Sequence, residues 1–149
     1  DGGRDDDLLV VNNLDFISVD GGDDTDTLEL DFDDTFIDVS GFADRVSNIE
    51  KLIFGDTTGF TNLLKLSLDD VIGMTDGDNT LFIDGDSEDS VTFDANDGWA
   101  RLPISDQFGY VIYSNVGGAT VYVEAELIVS GADTLPVFPC DADNPPVFQ

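Results

Sequence analysis

The sequence has no histidine and a single cysteine, Cys140. Without histidine, Ser-His-Asp and Cys-His catalytic arrangements are excluded, along with the usual zinc sites. A lone cysteine closes no intrachain disulfide and does not settle the redox compartment. Sparse cysteine suits a secreted bacterial protein. Cys140 stands between Pro139 and Asp141, where a neighbouring acid disfavours the thiolate that a nucleophile needs. Basic residues are equally scarce: 5 Lys plus Arg face 33 Asp plus Glu, for a net charge of −28. Nucleic acid and anionic membrane surfaces are thereby excluded as partners, because both require a basic face. No apolar run approaches the roughly 18 residues of a membrane span, and no signal peptide is visible. Carboxylate pairs occur by chance in so acidic a chain. A glycosidase, however, needs its pair in a cleft lined with sugar-binding aromatics, and the sole tryptophan, Trp99, reads as a core or edge residue. The chain reads as non-catalytic.

What is abundant is acid. Two like charges about 5 Å apart repel by roughly 0.8 kcal/mol in water and by several times more at a protein surface. Yet 41% of the 149 residues are apolar, which is enough for one compact core and unlike a disordered acidic tail. The folded state therefore needs a neutraliser, either metal cations or very high salt. Halophilic adaptation scatters acids over all surfaces. Here many cluster beside glycine, which points to metal.

Two stretches share one layout, "DGGRDDDLLVV" at 1–11 and "DGGDDTDTLEL" at 20–30. Between them, Leu14, Phe16 and Val19 take inward positions with strand-like spacing. Leu28, Leu30 and Phe32 alternate with acids. "TFIDVSGF" continues the β character, and "NIEKLIFG" (48–55) is a further strand closed by Gly55. In "LKLSLDDVIGMTD", Leu64, Leu66 and Leu68 alternate as in a strand, while Ser67 is placed to cap a short helix over Leu68 to Met74. "NTLFIDGD" and "DSVTFDAND" read as strands, and "GYVIYSN" with "ATVYVEAELIVS" as a hairpin turning at Asn115–Gly118. The sum is an all-β fold with at most one short helix: a short β-roll or β-helix coil leading into a β-sandwich or β-solenoid-like domain. Residues 1–130 form one β-rich module, with the coil at 1–30 and the β domain at 31–130. Residues 131–149 carry four prolines and read as a tail or linker. Both ends read as cuts from something longer.

Hard cations such as calcium take six to eight oxygens at roughly 2.3–2.6 Å, from carboxylates and carbonyls. Glycine lets the backbone turn through positive φ and aim carbonyls at one point. A glycine pair followed by Asp is half of such a cage, and a period of 19 suits coils that stack in register. It sets Gly2-Gly3 near Gly21-Gly22 and Asp7 near Asp26, with Leu8–Val11 and Phe16–Val19 forming the sides of the coil.

"GGRDDDLLV" (2–10) and "GGDDTDTLE" (21–29) resemble the calcium-binding nonapeptide of the repeats-in-toxin (RTX) family, GGxGxDxUx with U a large apolar residue. Asp7 and Asp26 match its Asp, and Leu9 and Leu28 its apolar position. Asp5 and Asp24 replace its fourth-position glycine, and Asp tolerates left-handed geometry better than most residues. A looser likeness covers roughly 1–125. "SNIEKLIFG", the Asp-Val helix stretch, "DGDSEDSV" and Trp99 follow the order of a module in very large bacterial surface adhesins. The resemblance implies calcium bridged between successive coils and export by a type I route. It makes Asp1, Gly3, Asp5 and Asp7 ligands from one half, with Asp20, Gly22, Asp24 and Asp26 from the other.

"DGDSEDSV" (84–91) offers a second calcium site through Asp84, Asp86 and Asp89, or else a solvated acidic hairpin turn. "TDGDN" (75–79) reads as a plain turn. Neither is an EF-hand, since neither has Gly at loop position six and Glu at twelve. The expected function is a calcium-stabilised extracellular structural or adhesive module of a bacterial surface or biofilm-matrix protein. Two alternatives stand beside it. One is a self-assembling filament subunit joined by strand addition between copies, for which an N-terminal strand or the apolar tail residues Leu135, Val137, Phe138, Val147 and Phe148 are the candidates. The other is a glycan-binding domain.

Overall fold

The structure is a computed structural model. It describes residues 2–31, 36–54, 62–105 and 109–134, with backbone alone at 103–105 and 133–134. Asp1, Phe32, Gly55, Cys140 and residues 135–149 of the Pro-rich tail lie outside the described residues.

The chain is largely β with one short α-helix. In order it forms β1 (Leu8–Val11), β2 (Val19–Asp20), β3 (Thr27–Leu30), β4 (Ile37–Asp38), β5 (Val46–Ser47), β6 (Lys51–Phe54) and β7 (Leu63–Leu66). Helix α1 (Leu68–Met74) follows, then β8 (Thr80–Asp84), β9 (Ser90–Phe93), β10 (Ala100–Ser105), β11 (Tyr110–Ser114), β12 (Thr120–Glu124), β13 (Ile128–Ser130) and β14 (Asp133–Thr134). An eight-stranded sheet runs β1-β3-β6-β8-β12-β11-β10-β14, a four-stranded one β13-β9-β7-β4, and β2 pairs with β5.

Most pairings are parallel and join strands far apart in the chain. Leu8 lies beside Thr27, Thr27 beside Lys51, Lys51 beside Phe82, and Thr80 beside Thr120. After each pass the chain returns and lays a new strand against the last. The turn signals in the sequence thus mark corners where the chain crosses to another sheet. Gly-Asp chemistry serves a corner and a hairpin equally well, so strand direction is not written in it. Among the described residues antiparallel pairing is confined to β10–β11–β12. There the expected hairpin forms, closed by Gly118 N–H donating to the Asn115 carbonyl at 3.0 Å.

Alternation puts one face of each strand inside. Stacking in register turns those faces into columns. Leu28, Leu52, Ile83 and Val123 form one column of buried residues, and Ile37, Leu64 and Val91 form another. Phe93, Trp99 and Tyr113 fill the far end, with centroids 4.8 and 5.1 Å apart from Phe93. Trp99 is thus a core residue, 1% exposed.

Both readings of "LKLSLDDVIGMTD" hold in succession, as β7 and then α1. Ser67 Oγ accepts from Asp70 N–H, and Asp70 accepts from Ser67 N–H, a reciprocal cap. Two expected strands are shorter than their apolar spacing suggests. Among the described residues of "TFIDVSGF" only Ile37–Asp38 is strand. The Asp38 carboxylate accepts from Ser40 N–H and Oγ–H, which diverts the backbone into 3-10 turns at Val39–Gly41 and Ala43–Arg45. In Phe16–Val19 only Val19 joins a strand, because the Arg45 guanidinium takes the Leu14 and Phe16 carbonyls and covers the Phe16 ring. Among the described residues no helix is long and apolar enough to cross a membrane.

Candidate metal centre

The β1–β3 register brings the two glycine-rich stretches together, with equivalent residues 19 apart. Gly2 N–H donates to the Asp20 carbonyl at 2.9 Å, Asp23 N–H to the Gly3 carbonyl at 2.9 Å, and Thr27 N–H to the Asp7 carbonyl at 2.8 Å. Both corners use the left-handed region. Gly3 and Gly22 have φ of 97° and 105°, and Asp5 and Asp24 have φ of 71° and 81°. The acids that stand where the nonapeptide has glycine therefore adopt the glycine-like conformation.

The glycines also make room. A Cβ on Gly2 would fall 2.5 Å from the Gly21 carbonyl oxygen and 2.6 Å from Asp7 Oδ2. A Cβ on Gly21 would fall 2.0 Å from the Asn48 carbonyl oxygen and 2.6 Å from Asp26 Oδ2. At each corner a carbonyl oxygen and a carboxylate oxygen thus face the same glycine.

Carboxylates stitch the passes together. Asp24 Oδ2 accepts from Asp5 N–H at 3.3 Å, Asp6 Oδ1 from Thr25 N–H at 3.0 Å, and Asp26 Oδ1 from Asp7 N–H at 2.9 Å. Asp20 Oδ1 takes the Asn48 side-chain amide at 2.8 Å. Asp26 is 0% exposed, yet its Oδ2 has no partner, and neither has Asp7 Oδ2. Burial raises the Asp26 pKa. The Asp7 N–H works the other way, while the charges of Asp7, Asp6 and Asp24 push it further up. A buried, unpartnered carboxylate oxygen among like charges is costly unless a cation meets it.

The second predicted set is arranged differently. Asp84, Asp86 and Asp89 border a cleft of about 190 Å³ together with Glu124, but each already has partners. Asp84 pairs with Lys51 Nζ at 2.8 Å and accepts from the Tyr110 hydroxyl at 2.6 Å. Asp86 accepts from Glu88 N–H at 2.8 Å. Asp89, 3% exposed, takes Asn62 N–H and its side-chain amide through Oδ1 and Asp86 N–H through Oδ2. These acids lock a turn and tie it to β7. Among the described residues no three acidic side chains converge as a ready-made cation cage, so a cation at the N-terminal corners would draw most of its ligands from carbonyls.

One contributor escaped the sequence reading. Glu50 Oε2 accepts from Asp26 N–H at 2.9 Å, just as Asp26 accepts from Asp7. The signal is present in the chain: Asp7, Asp26 and Glu50 each immediately precede a strand of the large sheet. No glycine pair announces the third corner. Asn48 supplies its left-handed residue, with φ of 52°.

Compared with family models, curated proteins and solved structures, the chain has no match.

Proposed function

We propose that this chain is a non-catalytic, calcium-stabilised β-roll or β-solenoid module with an extracellular structural or adhesive role. The observation that carries the reading is Asp26: wholly buried, with one carboxylate oxygen unpartnered beside a glycine corner. The residues present suit a hard cation. Asp7 and Asp26 offer unpartnered carboxylate oxygens, and the Gly21 and Asn48 carbonyls face the same corners. The resemblance of both corners to the RTX nonapeptide adds the expectation of an exported bacterial surface or matrix protein. Calcium would neutralise part of the −28 charge. Because it binds the folded chain, it would couple binding to folding, leaving the chain looser where calcium is scarce and set where it is plentiful.

Thermal melts test this directly. With about 5 mM calcium, above the weak extracellular affinity range, the melting temperature rises well beyond its value in sodium chloride of equal ionic strength. Equal stabilisation by sodium chloride would favour salt adaptation instead.

A second reading, assembly with copies of itself, draws on β1. Among the described residues β1 pairs only with β3, and its outer face shows Leu8 and Val10, 59% and 48% exposed. Such an edge accepts a further strand through main-chain hydrogen bonds. Electron microscopy separates the readings: a regular helical repeat means filament, isolated particles mean module.

A further inference from the structure

The carboxylate ladder continues past the point where the glycine-rich pattern stops. Asp7 N–H donates to Asp26, and Asp26 N–H donates to Glu50, each at 2.9 Å. Asp26 and Glu50 each engage one carboxylate oxygen, and Asp7 Oδ2, Asp26 Oδ2 and Glu50 Oε1 are buried without a hydrogen-bond partner. The wholly buried Asp26 places its free oxygen against Gly21, where the Asn48 carbonyl also points. That repeats the corner above, where Asp7 Oδ2 and the Gly21 carbonyl meet at Gly2. The left-handed Asn48 makes the third corner without a glycine. Lys51, next to Glu50, is engaged by Asp84. Glu50 also lines a cleft of about 220 Å³ with Thr25, Asp76, Asp78, Thr80 and Phe82. Solvent thus reaches the corner from one side, and a calcium ion keeps water in ligand positions the protein leaves open.

We propose that a second hard divalent cation binds between the second and third corners, held by Asp26 Oδ2, Glu50 Oε1 and the Asn48 carbonyl, the third corner having no glycine pair. This rests on the calcium reading above and extends it to a residue outside the nonapeptide.

The test counts calcium bound per full-length chain, by equilibrium dialysis and titration calorimetry in sodium chloride, with folding checked by circular dichroism. Glu50→Gln keeps an acceptor for Asp26 N–H and removes the charge. It binds one calcium fewer than the unmodified chain and retains the rest at little-changed affinity. Glu50→Asp keeps the charge but shortens the reach, so the count stays and one site weakens. Asp7→Asn weakens or loses a different ion. If folded Glu50→Gln and Glu50→Asp both give the isotherm of the unmodified chain, the second site is overturned while the calcium reading stands. If the unmodified chain binds no calcium, both fall.

Discussion

At the β1–β3 edge, neighbouring passes meet through carboxylates and glycine corners, and Leu9 and Val11 of β1 are only half-buried. Around β8, β11 and β12, neighbouring strands meet through rings. Phe82 stacks on Tyr122 at 4.4 Å, Tyr110 meets Phe82 edge-on at 5.3 Å, and Phe93, Trp99 and Tyr113 pack inside. Both regions extend one sheet, yet their sources of cohesion differ. Apolar and aromatic contact needs no bound ion. A buried carboxylate oxygen without a partner is stabilised by one. The comparison teaches that one sheet can join an end held by apolar contact to an end that, on the proposed reading, depends on a cation.

The largest expected effect lies at the end held by apolar contact. Trp99→Ala removes the largest ring of the inner aromatic group and costs about 3–5 kcal/mol, in calcium and without it alike. Denaturant unfolding measures this, and a cost that depends on calcium would blur the contrast between the ends.

Gly21→Ala comes next. Its Cβ would overlap the Asn48 carbonyl oxygen and crowd Asp26 Oδ2, so the backbone must shift, at about 1–3 kcal/mol. The loss falls on the acidic corners. Local hydrogen exchange rises there and stays unchanged in β11 and β12.

Asp26→Asn sharpens the comparison through its sign. The amide keeps an oxygen for Asp7 N–H and brings a donor to the Asn48 carbonyl. The calcium-free protein gains about 1 kcal/mol, while the stabilisation by added calcium shrinks. Melts of both proteins with and without calcium check this crossing. Parallel behaviour of the two proteins would remove Asp26 from the account.

Acidity gives the smallest effect. Burial raises the pKa of Asp26, Glu50, Asp70 and Glu124, in each case as the largest cause. Between the unfolded values near 4 and the raised folded values, the folded chain holds more protons than the unfolded one, so stability falls as pH rises. Taking the calcium-free protein from about pH 7 to about pH 5 therefore raises its melting temperature by a few degrees. With calcium bound the trend reverses, since the ion needs the deprotonated acids. A calcium-free melting temperature that falls on acidification would contradict the assignment of burial as the dominant cause.

Much of this was legible in the chain. Alternation located β3, β6, β8, β9, β11 and β12, because a half-buried strand leaves a period of two. Ser67 announced α1 through its cap. The 19-residue spacing foretold the pairing of Asp7 with Asp26, because a repeat that matches one pass fixes the register. Later passes lengthen, as Lys51 beside Phe82 and Thr80 beside Thr120 show, so no fixed period leads to Glu50. Asp89 reads like a ligand in sequence, yet its oxygens serve the amides of Asn62 and Asp86. Spacing places an acid at a corner, but only the packing around it decides whether an oxygen stays free.

The most direct measurement is peptide-resolved hydrogen exchange with calcium and with sodium chloride at matched ionic strength. The account predicts that calcium slows exchange in 2–31 and 46–50 and leaves 110–124 nearly unchanged. Equal protection by sodium chloride, or a calcium effect spread evenly over both ends, would contradict it.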